Sequence, residues 1–149
     1  MKRRKEREFA LQSLYGLEFN DISVIEMVDL LSKNREKAAS DFSVMLIRKC
    51  SEHREELDKY IISHLKNWNY DRVAMIDKIL LRMAVAEFLY FESIPPEATL
   101  NEMIEISKEF STEKSGKFIN GIMDSVLKTL QKQKKITKTG RGLVPPGTK

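Results

Sequence analysis

The sequence of 149 residues has one cysteine, two histidines, one tryptophan, four prolines and six glycines. Each scarcity excludes something. A single cysteine, Cys50, rules out an intramolecular disulfide, and its place in an apolar-periodic run points to a buried, inert thiol. His53 and His64 stand eleven positions apart without a companion cysteine or histidine, which is not metal-ligand spacing. Few glycines and prolines among long periodic segments argue against a sandwich or barrel and for an all-α class. No apolar run approaches the roughly 18 residues of a membrane span. The N-terminus is basic but has no apolar run of a secretory signal, so a cytoplasmic protein is expected.

Catalytic patterns are equally scarce. No glycine-rich phosphate loop follows a strand, and no Ser/His/Asp or Cys/His set is suggested by spacing. The carboxylate pairs Glu102 with Glu105 and Glu55 with Glu56 read as solvated helix faces. The chain is therefore expected not to be an enzyme, and no cofactor is implied.

What the sequence does have is one helix-forming stretch that is apolar nearly all round, Asp71 to Phe91. Val73, Ile76, Ile79, Leu80, Met83 and Phe88 cover one broad face, and Met75, Leu81, Val85 and Leu89 much of the rest. Asp77, Lys78 and Arg82 form a narrow polar stripe. Such a helix must be wrapped by others. Asn20-Asp21 ends a first helix and caps a second over Ile22 to Leu31. Asp41 is read as the N-cap of a long helix reaching Leu65, with a break near Ser51. Trp68 and Tyr70 are expected at the core edge, with Asp71 capping the central helix. Pro95-Pro96 ends that helix, and Thr99 and Glu102 have capping-box spacing for the next. A last helix is expected from about Ser115 to Lys134. Gly121, in its middle, suggests close approach of another backbone. The reading is one helical domain over residues 1–134 and a basic, disordered tail over 135–149.

The net charge is only +4, so its distribution matters more than its sum. Lys2, Arg3, Arg4, Lys5 and Arg7 make a basic arm suited to phosphate oxygens, which guanidinium groups grip in a bidentate fork. A second candidate is the block Glu113 to Gly121, a helix start. There Lys114 and Lys117 add charge, Ser115 offers a hydroxyl, Phe118 a ring for stacking, and first-turn N–H groups attract anions. Solvated charge explains the arm equally well. A capping serine, a core phenylalanine and a surface Asn120 explain the block.

The chain resembles the NusB family of bacterial transcription antitermination factors. The resemblance rests on the basic start followed by Arg7-Glu8-Phe9-Ala10-Leu11-Gln12-Ser13-Leu14-Tyr15, on Asn67-Trp68, and on Asp77-Lys78-Ile79-Leu80-Leu81-Arg82-Met83-Ala84 with Glu87-Phe88. It continues through Ile94-Pro95, Asn101-Glu102 and Glu105-Ile106-Ser107-Lys108 to Ser115-Gly116-Lys117-Phe118-Ile119-Asn120-Gly121-Ile122-Met123-Asp124. It implies a bundle of about seven helices in two packed subbundles. It also implies RNA binding: with NusE, a small-subunit ribosomal protein, the family recognises boxA, a single-stranded element of nascent ribosomal RNA. Other Nus factors and RNA polymerase then join. By position, Lys2, Arg3, Arg4, Lys5 and Arg7 match the family's RNA arm. Ser115, Lys117, Phe118 and Asn120 match its block near the RNA, and Tyr15 and Asp77 its NusE surface. A homodimer masking the arm face is left open. So are two other roles, an accessory RNA-binding module for an RNA methyltransferase and a helical adaptor without RNA.

Overall fold

The computed structural model describes residues 2–33, 35, 38–67 and 69–143. Among them are seven α-helices and no strand: α1 (Lys2–Phe19), α2 (Val24–Ser32), α3 (Asp41–Glu52), α4 (Arg54–Ile62), α5 (Met75–Tyr90), α6 (Pro96–Phe110) and α7 (Glu113–Lys132). Short 3-10 turns occupy Tyr70–Arg72 and Gly140–Leu143. The expected placing of Trp68 lies outside the described residues, as do residues 144–149 of the expected tail.

The apolar stretch is the axis of the molecule. Ile79, Leu80, Leu81, Met83, Ala84, Val85, Ala86 and Phe88 are all buried, as an all-round apolar helix requires. Burying one such leucine or methionine contributes about 1.5–3 kcal/mol. One subbundle, α1, α2 and α3, packs on α5 from one side; α6 and α7 close with α5 into the second, and α4 bridges to α5 and α7. No helix among the described residues is long and apolar enough to cross a membrane. Cys50 is buried in this core, and burial pushes its thiol up, away from the reactive thiolate.

Helix ends differ from expectation for identifiable reasons. The second helix is capped not by Asn20-Asp21 but by Ser23, which forms a reciprocal box with Glu26. Ser40 rather than Asp41 caps α3, accepting from the Ser43 amide. The long helix expected to Leu65 breaks at His53, two residues beyond Ser51. Asp71 does not cap the central helix, because the intervening 3-10 turn delays its start to Met75. Thr99 and Glu102 form no capping box: α6 begins earlier, with Pro96 in its first turn, where the missing N–H costs nothing. Thr99 is instead buried and donates to Glu87 at 2.8 Å.

Gly121 faces open space, with nothing within 4 Å of a would-be Cβ, so the expected backbone approach is absent there. Close approach occurs at Gly142, where a Cβ would overlap the Glu92 carbonyl oxygen. Gly142 belongs to a segment read as disordered. Residues 135–143 instead fold back over the end of α5. Lys138 Nζ donates to the carbonyls of Glu87 (2.9 Å) and Phe91 (2.8 Å), and the Thr139 amide donates to Glu92 O at 2.9 Å. The lysine thereby adds a charged donor to carbonyls at the helix C-terminus that also accept from the Phe91 and Ile94 amides.

Candidate nucleic-acid interface

The basic arm forms the first two turns of α1. Helical spacing distributes its cations over different faces, with different fates. Lys2, Arg3 and Lys5 are exposed. The Arg3 guanidinium lies over the Phe42 ring, 4.1 Å from its centroid, and 3.4 Å from Glu6. Lys5 stands 3.4 Å from Glu8. Arg4 is half-buried and donates from Nε and Nη2 to the two carboxylate oxygens of Glu102, at 3.0 and 2.8 Å. That hydrogen-bonded pairing raises the Arg4 pKa and lowers that of Glu102.

Arg7 faces the other way. Its guanidinium is 3 % exposed and bidentate to Glu87, itself 0 % exposed, with both bonds at 2.8 Å. Burial works against its charge, but the hydrogen bonds and attraction of Glu87 outweigh that, and the group stays above its ordinary pKa. Arg7 was expected to touch RNA; here it pins α1 to α5, because the face it occupies is the one α1 must bury.

The second block opens α7. Thr112 caps the helix by accepting from the Ser115 amide at 3.2 Å. The Ser115 hydroxyl donates to Asp77 Oδ2 at 2.8 Å and accepts from Ser111. Its proton is therefore committed inside the protein, contrary to the expected phosphate contact. Lys114, Lys117 and Asn120 are exposed, while Phe118 is half-buried against the core. Asp77 is buried, with no donor to Oδ1 among the described residues.

The rest of the polar stripe on α5 is structural. Arg82 bridges Asp58 (2.7 Å) and Glu18 (2.9 Å), tying α5 to α4 and α1, and Lys78 lies over the Tyr70 ring. Tyr15 is 42 % exposed and packs with Phe19, 62 % exposed, their ring centroids 4.9 Å apart. Phe19 was not singled out from the sequence, although it lies one turn from Tyr15 on the same face.

Arm and tip are anchored near opposite ends of α5. Arg7 holds Glu87 and Ser115 holds Asp77, ten residues and so about 15 Å of helix apart. Among the described residues the arrangement offers two cationic outposts on one rigid frame. No set of three or more His, Cys, Asp or Glu that could hold a metal exists among the described residues.

Comparisons with known proteins bear on this geometry. A model described as the NusB family matches residues 4–128. The chain is 38% identical to the transcription antitermination protein NusB of Chloroherpeton thalassium over 151 aligned residues, covering 97% of this chain and 70% of that one. It superposes on a structure of NusB from T. maritima with a TM-score of 0.76 at 34% identity, over 85% of this chain and 90% of that one. A chain from the crystal structure of the antitermination factors NusB and NusE in complex with double-stranded RNA gives a TM-score of 0.75 at 26% identity, over 87% and 99%.

Proposed function

The chain belongs to the NusB family of transcription antitermination proteins, and from that premise we propose that it grips RNA jointly with a NusE-type partner. The RNA is of the boxA kind, in nascent ribosomal transcripts, and the assembly loads other Nus factors onto RNA polymerase. The observation that carries this reading is the row of solvent-facing cations on the first turns of α1, Lys2, Arg3 and Lys5, held on a helix locked to the core. A rigid cationic row meets phosphates without first having to be ordered. Lys114, Lys117 and Asn120 supply the second contact at the start of α7. A solved neighbour that holds NusE and RNA together supports the shared grip.

The partner face is the exposed pair Tyr15 and Phe19; Asp77, buried and accepting from Ser115, braces the start of α7 from within. Paired exposed aromatics are anchors of the kind that interfaces bury.

The test is a salt titration of binding to boxA-type single-stranded RNA, a scrambled strand and a duplex, each with and without NusE. Binding led by phosphates weakens steeply with salt. Replacing Arg3 and Lys5 with alanine is expected to weaken binding to every sequence and flatten the salt slope by about 0.7 per lost phosphate contact on a single strand. Equal affinity for boxA and scrambled RNA with NusE present would defeat the proposal.

A further inference from the structure

The arm is less cationic than its sequence reads. Four of its five basic residues meet a carboxylate: Arg3 with Glu6, Lys5 with Glu8, Arg4 with Glu102 and Arg7 with Glu87. The Arg3 and Lys5 pairs are long, 3.4 Å, between neighbours one turn apart, with cations 54% and 71% exposed; water and salt exchange them freely. The Arg7 pair is sealed in the core.

Arg4 and Glu102 are different. They come from different helices, α1 and α6, and meet through two parallel hydrogen bonds of 3.0 and 2.8 Å. Their side chains are 35% and 24% exposed, so the pair is shielded yet reachable from solvent. Two oxygens on the Nε–Nη2 edge are what a phosphate would present to the same guanidinium. Glu102 also lies 4.0 Å from Arg7 Nη1, which helps hold the carboxylate in place. Glu105 stands one turn further along α6 and adds negative potential at Arg4.

We propose that Glu102 is an affinity-setting residue: it occupies Arg4 as a phosphate would, so RNA engages Arg4 only by displacing this carboxylate. The proposal rests on the reading of the arm as an RNA contact. Its consequence is discrimination. A strand that offers an isolated phosphate gains little, because it must break a bidentate pair and then sit beside the freed carboxylate. A strand fixed at several points, with help from a partner, holds a phosphate against Arg4 long enough to win the exchange. Glu102 therefore lowers affinity for all RNA and lowers it most for RNA with no other hold.

The experiment compares the wild type with Glu102→Gln, which keeps the shape and removes the charge. Binding of labelled boxA-type and scrambled single-stranded RNA is followed by fluorescence anisotropy across a salt series. Glu102→Gln is expected to tighten both several-fold, the scrambled strand more, and to steepen the slope of log K against log salt by about 0.7, one added contact on a single strand. Adding Arg4→Ala to Glu102→Gln is expected to cancel the gain. Equal or weaker binding with an unchanged slope overturns the proposal, since Glu102 would then merely position Arg4. A second readout needs no variant. In the wild type, the Arg4 Nε–H resonance is expected to shift on RNA addition while that of Arg7 stays; an unmoved Arg4 signal at saturation also overturns it. A wild type that binds no RNA at any salt, with or without NusE, sinks the underlying reading and this inference with it. A wild type that binds while Glu102→Gln shows no gain sinks this inference alone.

Discussion

Arg7 shows what a single residue's surroundings decide. In the sequence it is the last member of a basic run, alike in type to Arg3 and Arg4. In the fold it is the one whose guanidinium is enclosed, bonded to a glutamate 80 positions away. Nothing in local spacing signals that partner, because helical periodicity assigns a face and not what the face meets. Asp77 and Ser115 are each singled out in the sequence for a contact with a partner or with RNA, and their bond to each other is not legible there, for the same reason. The stability prediction follows from burial. Arg7→Ala leaves Glu87 charged and enclosed, and breaking a buried pair in this way costs about 3–5 kcal/mol. Urea denaturation monitored by far-UV circular dichroism is expected to show a midpoint well below that of the wild type. Arg3→Ala, at an exposed position, is expected to move it by no more than about 0.5 kcal/mol.

Whole helices were far easier to read than their ends. The all-round apolar pattern of α5 dictates burial whatever packs on it. The caps were less readable because several residues near each start have the right chemistry, and the choice depends on where the chain enters. Ser23 outcompetes Asn20-Asp21 since it alone completes a box with Glu26, and Pro96 starts α6 before Thr99 has a chance to cap. The fold-back of 135–143 was illegible because it is held by backbone carbonyls at the end of α5, which carry no sequence signature. Gly121 gives an element-level prediction. It lies in the interior of α7, exposed, with no neighbour that a Cβ would strike. Gly121→Ala is expected to stabilise the protein by about 0.8–1 kcal/mol, read as a rise in the thermal midpoint.

For the molecule as a whole, the two subbundles share α5, so the ion pairs that join helices are also what acid should loosen. Arg4 holds the Glu102 carboxyl below its ordinary value of 4.5. The unfolded chain lacks that pairing and binds its proton more readily. Above the unfolded value the pair contributes its full stabilisation, and the contribution is lost as pH falls through the lower, folded value. Stability measured by denaturant titration is therefore expected to decline from about pH 4.5 downward, and Glu102→Gln to flatten that decline. A wild type and a Glu102→Gln protein with parallel acid profiles would contradict it.

Glu87 accepts Arg7 and Thr99 at its carboxylate and Lys138 at its carbonyl, so α1, α6 and the returning segment all fasten to one residue of α5. The mechanical consequence is that tension applied to the first turns of α1 is delivered straight to the C-terminal end of the central helix. The arm works as a stiff lever bolted to its frame, and whatever tugs on it loads the whole body at once.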